Sequence, residues 1–353
     1  MDHITLWLQF SISAILIIIA GYKLTKYGDI ISEKFNLGHA FIGAVLIGWS
    51  TSLPELVLSI GTTAYSKAPN ISMGNVLGSN LFNILIIVLL DIYYWKGSIL
   101  RSVNKKLNLT VWLSLLMVLL TGGALYFHSI RQIPFLKMGY DSCIIFVIYM
   151  ICMYLIYKNS NEQEEEDDAH LPHKYYEEKD KNLDVSLSVL MVKTLIVIAM
   201  IVAAGLWLSH LAPQLSAKYK LKGGFIGSFF LAIVSSLPEV ITCFITVKMG
   251  FHNMAVGTLF GSNIFNMAII AFCDVFYRDG NIFHAIYNES NLTHLSSVVI
   301  IVIMTLITIS ILKFCKKTKK GMFIGVESIL IAILYFIAIY VIYDPSILKP
   351  ILG

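Results

Sequence analysis

Two short phrases of this 353-residue chain place a carboxylate and a helix-breaking proline inside otherwise apolar sequence. They are Ser50-Thr51-Ser52-Leu53-Pro54-Glu55 and Val234-Ser235-Ser236-Leu237-Pro238-Glu239. Their glutamates lie 184 positions apart. A charge within an apolar, membrane-type segment is costly, so such a residue marks a functional site by default. The repeat therefore predicts two acidic side chains that share one task.

Each proline is expected to bend or unwind its helix, because it lacks an N–H and clashes with the carbonyl four residues earlier. The freed carbonyls would lie beside the hydroxyls of Ser52 and Ser236. Glu55 and Glu239 follow one helical turn later, so an oxygen cage is expected on one face of each helix. Hard oxygen ligands favour sodium, calcium or magnesium over transition metals.

A second phrase follows each of the first two, and it carries neutral oxygens. The two copies are Gly74-Asn75-Val76-Leu77-Gly78-Ser79-Asn80-Leu81-Phe82-Asn83 and Gly257-Thr258-Leu259-Phe260-Gly261-Ser262-Asn263-Ile264-Phe265-Asn266. Ser79 and Asn83 are four residues apart, as are Ser262 and Asn266, so each pair lines one helix face. Gly78 and its counterpart favour close helix approach. Alone, such phrases are more typical of helix packing, but their repetition behind each Pro-Glu favours ligand sites.

The composition is that of a protein with many membrane spans. Hydrophobic residues make up 57% of the chain, charged residues 14%, and the mean hydropathy is +0.76, far from soluble averages. The net charge of +4 is an ordinary loop excess and does not imply nucleic acid. The five cysteines form no CxxC pair, which disfavours zinc and a disulfide framework.

Windows of about 20 residues, the length that crosses a bilayer, find ten apolar segments. They lie near 5–22, 38–65, 71–95, 107–127, 139–157, 185–209, 223–249, 252–277, 292–315 and 322–343. Because five is odd, the second set must enter the membrane from the opposite side. The sequence thus predicts an all-α membrane protein with ten transmembrane helices in two inverted five-helix repeats, residues 1–157 and 185–353.

An acidic linker, residues 158–184, joins the two predicted repeats. Alternate loops carry 17 and 8 Lys and Arg residues, and the positive-inside tendency places the linker in the cytosol. Its run of acidic residues favours a solvated, partly disordered segment. A cytosolic divalent-cation sensor is the alternative, although the spacing of an EF-hand is absent. The membrane could be the plasma membrane or that of an organelle, and the oligomeric state stays open.

Two inverted halves would bring Glu55 and Glu239 together near the middle of the bilayer. Their formal charge of minus two needs compensation there. One divalent cation, a few monovalent cations or protons could supply it, which is the physical requirement for exchange at a shared site. Asp91 and Asp274, which end two spans, are expected to be interfacial.

The phrases resemble the alpha-repeats of the cation/calcium exchanger superfamily, which includes the sodium/calcium exchangers. The resemblance covers both halves and implies a membrane antiporter that transports calcium and sodium without a cofactor, rather than an enzyme. It also implies that the first and sixth spans, with Gly21 and Gly205, form the moving gate. Position by position, it implies these metal ligands: Thr51, Ser52, Glu55, Ser79, Asn83, Ser235, Ser236, Glu239, Ser262 and Asn266.

Some residues depart from the family pattern. Ser50 and Val234 replace a glycine, and Thr258 stands where the pattern has asparagine. Asn266 replaces the aspartate of several relatives, potassium-dependent exchangers among them, which argues against potassium dependence. The second phrase has no further acidic residue of the kind that proton-coupled relatives tend to carry. Sodium is therefore the expected counter-ion.

The predicted function is exchange of calcium for sodium by alternating access in the lipid bilayer. A proton-coupled calcium or magnesium exchanger is the first alternative, and a cation channel the second. An intramembrane enzyme has little support, because neither a His-Glu-x-x-His motif nor a glycine-flanked nucleophilic serine is present.

Overall fold

The chain is almost wholly helical in the computed structural model, which describes residues 3–34, 48–94, 98–104, 107–127, 132–133, 138–161, 186–314 and 325–348. The helices there are α1 (His3–Lys34), α2 (Gly48–Thr51), α3 (Leu53–Ala64), α4 (Pro69–Tyr94), α5 (Asn108–Phe127), α6 (Tyr140–Asn161), α7 (Leu187–Tyr219), α8 (Gly223–Ser235), α9 (Leu237–Lys248), α10 (His252–Phe276), α11 (Ile282–Phe314) and α12 (Val326–Tyr343). Helix α8 contains a π-helical stretch, Ile226–Leu231. Short 3₁₀ helices cover Ile99–Arg101 and Pro345–Leu348, and strands Gln132–Ile133 and Met138–Gly139 form an antiparallel hairpin.

Eight helices of the described ranges are long and apolar enough to cross a membrane, or nine if α8 and α9 count as one bent span. They coincide with nine of the ten predicted segments. The remaining segment is 38–65. Its first part, up to residue 47, lies outside the described ranges, and α2 and α3 lie in its second part. The chain is therefore an integral multi-pass membrane protein. Most of the predicted acidic linker, residues 162–184, lies outside the described residues.

Helices α4 and α10, which carry the second phrases, form the centre of the molecule. In the most apolar stretch of each helix, 78% of the residues of α4 and 83% of those of α10 are buried within the protein. The corresponding share is 39% for α1 and 28% for α7. The two central helices pack against each other, while α1 packs along α7 at the periphery. The two central helices, which carry the second phrases, are thus enclosed by protein, whereas α1 and α7, which carry no motif residues, are largely exposed on the outside of the protein.

The prolines break two helices in the same way, as the sequence predicted. Ser52, between α2 and α3, has φ −87° and ψ 7°, and Ser236, between α8 and α9, has φ −88° and ψ 5°. The bend between α8 and α9 is 42°. Pro54 and Pro238 occupy the first turn of the following helix, where a missing N–H leaves no hydrogen bond unmade.

Asp91 and Asp274 form a second matched pair of acidic residues. Both are fully buried within the protein, and the sequence, which indicated only a place near the membrane interface, did not predict their burial. Asp91 Oδ1 accepts the backbone N–H of Ile99 at 2.6 Å, and Asp274 Oδ1 accepts that of Ile282 at 2.9 Å. In each case the donor lies eight residues further on, so the carboxylate closes the loop that follows its helix.

The second oxygen of each aspartate binds the start of another helix. Asp91 Oδ2 accepts the hydroxyl of Ser328 at the beginning of α12. Asp274 Oδ2 accepts the N–H of Gly139, just before α6, at 2.6 Å. Burial of these carboxylates is tolerated because donors meet both oxygens. They tie the ends of the central helices to the outer helices.

We predict that Asp274→Ala lowers the free energy of unfolding by about 1–3 kcal/mol, because it strands two buried N–H donors. Asp279→Ala is the control, since its carboxylate is half exposed and pairs with an exposed Lys67 ammonium group at 3.1 Å. Such a surface pair contributes about 0–1 kcal/mol. Thermal unfolding of both variants in detergent measures the difference. Equal melting temperatures would contradict the structural role of Asp274.

Candidate cation-binding site

All ten predicted ligand residues are fully buried within the protein. Each has a relative exposure of 0%: Thr51, Ser52, Glu55, Ser79, Asn83, Ser235, Ser236, Glu239, Ser262 and Asn266. Glu55 lies in the first turn of α3 and Glu239 in the first turn of α9. Unpaired backbone N–H groups and the helix dipole favour negative charge at a helix N-terminus. The proline breaks thus place both glutamates where the backbone partly compensates their charge.

Hydroxyl groups connect the two halves by a reciprocal exchange. Ser236 Oγ donates to Glu55 Oε1 at 2.8 Å, and Ser52 Oγ donates to Glu239 Oε1 at 3.0 Å. Each glutamate is therefore bound by the serine that precedes the glutamate of the other half. The sequence predicted an oxygen cage on one face of each helix and the approach of the two glutamates, but not that each serine donates to the glutamate of the other half.

Further hydroxyls reinforce the exchange. Ser235 Oγ donates to Asn75 Oδ1 at 3.3 Å, and Asn75 Nδ2 lies 3.4 Å from the backbone oxygen of Glu55. Ser79 Oγ, from the same half, reaches Glu55 Oε1 at 3.5 Å. The structure therefore gathers both acidic side chains and the hydroxyls of the first phrases into one buried cluster.

Five oxygens of the ten predicted ligand residues accept no hydrogen bond from the described residues, although all are buried. They are Glu55 Oε2, Glu239 Oε2, Asn83 Oδ1, Asn266 Oδ1 and Ser262 Oγ. A buried polar atom without a partner costs free energy, and a carboxylate oxygen costs most. Carboxylate, amide and hydroxyl oxygens are the ligands that hard cations prefer. This set of atoms could therefore hold a desolvated sodium or calcium ion.

Within the described part of the chain, no three His, Cys, Asp or Glu side chains converge as a metal-binding group. The acidic part of the cluster consists of Glu55 and Glu239. Its remaining oxygens are neutral, so the formal charge is minus two. Such a donor set matches alkali and alkaline-earth cations better than zinc, which prefers His and Cys.

Three further buried asparagines were not among the residues predicted to bind the ion. Asn75 donates to Ser59 Oγ at 3.0 Å and accepts from Ser235 Oγ at 3.3 Å. Asn80 and Asn263 bind the predicted ligands Asn266 and Asn83, at 3.0 Å each. Asn80 and Asn263 occupy the same position in the two phrases, and this repetition is the sequence feature that could have indicated their role.

Glycines let the surrounding helices approach the cluster closely. An added Cβ at Gly78 would overlap the backbone of Ser228 in α8, which confirms the packing role predicted for this glycine. At Gly74, a Cβ would lie 2.6 Å from the carbonyl oxygen of Gly224. The backbones of α4 and α8 are thus in direct contact, and this contact sets the distance between the two halves.

The fold and this cluster define a membrane transporter of cations. Its family is equally clear: the chain belongs to the sodium/calcium exchanger protein family, whose model matches residues 5–158 and 189–343. Members of this family are ion exchangers rather than enzymes. The match covers both halves and omits most of the linker.

Similar proteins agree with this assignment. Inner membrane protein YrbG of Escherichia coli (strain K12) is 24% identical over 261 residues, which cover 73% of this chain and 76% of YrbG. The structure of the H⁺/Ca²⁺ exchanger CAX superposes with a TM-score of 0.68 and 13% identity over 97% of this chain and 86% of CAX. The sodium/calcium exchanger from Methanococcus jannaschii gives a TM-score of 0.57 and 21% identity over 95% of this chain and 98% of that protein. The fold is thus shared by exchangers named for different counter-ions.

We predict that Ser52→Ala and Ser236→Ala each destabilise the protein, because each removes a hydrogen bond to a carboxylate, worth about 1.5–3 kcal/mol. The reciprocal geometry predicts similar losses for the two variants. Ser310→Ala is the matched control, since this exposed hydroxyl binds only Leu306 O of its own helix and such surface changes stay within about 0.5 kcal/mol. Melting temperatures in detergent measure the effect. A loss no larger than that of the control would contradict the exchange.

Proposed function

We propose that this protein is an antiporter that exchanges calcium for sodium by alternating access, at a site formed by Glu55 and Glu239 near the middle of the bilayer. The observation that carries the proposal is the reciprocal pair of bonds, Ser236 to Glu55 and Ser52 to Glu239. These bonds hold both carboxylates in one buried cluster, and the second oxygen of each carboxylate accepts no hydrogen bond from the described residues.

The charge of the cluster explains why exchange would be coupled. Two ionised carboxylates in a medium of low dielectric are costly until cations compensate them. One calcium ion, or two or more sodium ions, can do so. An empty carrier would keep its charges exposed to one side, whereas a loaded carrier could pass through an occluded form. Each crossing would therefore need an ion.

We assign the ten predicted residues as ligands of the transported ions. The two glutamates supply the charge, and the hydroxyls and amides supply neutral oxygens. Sodium is favoured as counter-ion because the cluster has only two acidic side chains, and Asn83 and Asn266 are both neutral. The shared fold with CAX keeps a proton-coupled exchanger as the second candidate, since a carboxylate can bind a proton in place of sodium.

We propose further that the chain has ten spans in two inverted repeats. Matched residues support this: Glu55 and Glu239 are 184 apart, and Asp91 and Asp274 are 183 apart. The two proline breaks share one backbone geometry, and the bonds at the site are reciprocal. The charge bias of the loops then places the linker in the cytosol.

The gate in this proposal consists of α1 and α7. These peripheral helices pack along each other and against the broken helices. An added Cβ at Gly21 would overlap Pro238. At Gly205, which lies 184 positions later, it would be 2.7 Å from Val57 Cγ1. Each gate helix thus has a glycine against a broken helix of the other half, which would let it slide past.

We predict that Glu55→Gln and Glu239→Gln each reduce calcium uptake into sodium-loaded proteoliposomes at least about tenfold. Loss of a supporting residue alone typically costs about 10–100-fold in metal affinity. Asp279→Asn, which changes an exposed carboxylate, should leave uptake unchanged. Undiminished uptake in both glutamine variants would discard the site.

The same vesicles identify the counter-ion when sodium, potassium and proton gradients are imposed separately. Uptake driven by sodium alone supports the proposal. Uptake driven by a pH gradient alone would replace sodium by protons, and calcium flux that follows its own gradient without any counter-ion would indicate a channel.

We predict that Gly21→Ala and Gly205→Ala slow exchange at saturating calcium. An added methyl group would overpack the contact between a gate helix and a broken helix at a cost of about 1–3 kcal/mol, and this would hinder the sliding of the gate. Gly123→Ala is the control, since an added Cβ there meets no atom within 4 Å. The maximal uptake rate per folded protein measures the effect. An unchanged rate in both variants would contradict the assignment of the gate.

A further inference from the structure

Four asparagines form a hydrogen-bonded group between the central helices α4 and α10. They are Asn80, Asn83, Asn263 and Asn266, and each is at most 1% exposed. Asn83 Nδ2 donates to Asn263 Oδ1 at 3.0 Å. In the matching contact, Asn266 Nδ2 donates to Asn80 Oδ1 at 3.0 Å. Both bonds join one half of the chain to the other.

A side-chain amide has a donor end and an acceptor end, so a bond at one end decides what the other end presents. In Asn83 and Asn266 the NH₂ group is bound to the opposite half. The oxygens of these two amides are buried and accept no bond from the described residues. If either amide were reversed, its oxygen would face another amide oxygen and its NH₂ group would replace a ligand atom. For Asn266 the acceptor on Asn80 excludes that arrangement, because Asn80 Nδ2 is itself bound to the backbone oxygen of Asn263. For Asn83 the acceptor on Asn263 disfavours it.

We propose that Asn80 and Asn263 are positioning residues that hold the oxygens of Asn266 and Asn83 toward the transported cation. The inference rests on the proposed function, because it assigns an orientation to two of its ligands. Asn80 and Asn263 act through the amides they bind and do not themselves supply an oxygen to the ion. The neutral oxygens of the site would then be fixed before the cation arrives, so little free energy is spent on ordering them.

The side-chain amides of the two positioning residues differ in the number of hydrogen bonds that fix them. Asn80 Nδ2 donates to the backbone oxygen of Asn263 at 3.3 Å, so both ends of its amide are bound. Asn263 Nδ2 is buried and has no partner among the described residues. Asn80 is therefore the more firmly fixed of the two, and its acceptor holds Asn266 more rigidly than Asn263 holds Asn83.

The test is a double-mutant cycle on the calcium concentration that gives half-maximal uptake in proteoliposomes. Asn266→Ala should raise this concentration about tenfold, the low end of the 10–100-fold range for residues that support a metal site. Asn80→Ala should raise it by a similar factor, with the maximal rate retained. The double variant should show no more than the larger single effect, because Asn80 acts only through Asn266.

A second cycle serves as the control, and it pairs Asn80 with a residue that has no hydrogen-bond partner in common with it. Ser236 Oγ donates to Glu55 Oε1, whereas Asn80 is bound to Asn266 and Asn263. For Asn80→Ala combined with Ser236→Ala, the fold-changes should multiply. Multiplication in the cycle of Asn80 with Asn266 as well would overturn the inference. Asn80→Leu, which keeps the volume, repeats the cycle if the alanine variant folds poorly.

The failure of this inference differs from the failure of the proposed function. Undiminished uptake in Glu55→Gln and Glu239→Gln discards the function and with it the positioning role. If those variants lose uptake while Asn80→Ala leaves the half-maximal calcium concentration unchanged, the function stands and the positioning role is wrong. A calcium-dependent rise in melting temperature, measured in detergent, gives a second readout that needs no transport.

Discussion

The structure depends on the exchange of hydroxyl donors between two buried carboxylates, Glu55 and Glu239. Each lies at the start of a helix that a proline has broken, and each is bound by a serine of the opposite half. Two like charges in a low-dielectric interior repel strongly. Such an arrangement persists only if helix termini, hydroxyls and an incoming cation compensate the charge. The proline breaks, the close backbone contact of α4 with α8 and the burial of α10 all serve that requirement.

A comparison of two acidic pairs separates structural carboxylates from those available to a ligand. In Asp91 and Asp274, donors from the loop and from an outer helix meet both oxygens. In Glu55 and Glu239, donors meet one oxygen, and the other accepts no bond from the described residues. Both pairs are equally buried, so burial alone does not identify a site. The unmet hydrogen-bonding capacity of the central pair does.

The sequence predicted the local effect of each proline and the approach of the two glutamates, but it missed which side chains bond across the two halves. The phrases around Pro54 and Pro238 predicted the breaks, because the effect of a proline is local. The cross-bonding of Ser52 and Ser236 was missed, since helical spacing says which residues share a face but not which helix meets that face.

The sequence analysis also missed a third pair of related phrases, because their spacing differs from that of the first two pairs. Gly139-Tyr140-Asp141-Ser142 and Gly325-Val326-Glu327-Ser328 stand at the starts of α6 and α12, and form a third related pair of phrases. They are 186 positions apart, so insertions in the loops have shifted them out of register with the 184-residue spacing of the glutamates. Their acidic residues also differ. The relation becomes visible when Ser328 is found on Asp91 and Gly139 on Asp274.

Neutral residues at the centre determine what the two charges can do. Asn83 and Asn266 add oxygens without adding charge, so one divalent cation, or two monovalent cations together, would balance the two carboxylates. The amides also cannot release a proton, which leaves the glutamates as the groups of the cluster that titrate. In the proposed mechanism, coupling between the ions follows from charge balance at one shared set of oxygens, and selectivity follows from how rigidly those oxygens are held. The proposed role of the asparagine group between α4 and α10 is to supply that rigidity where the two halves of the chain meet.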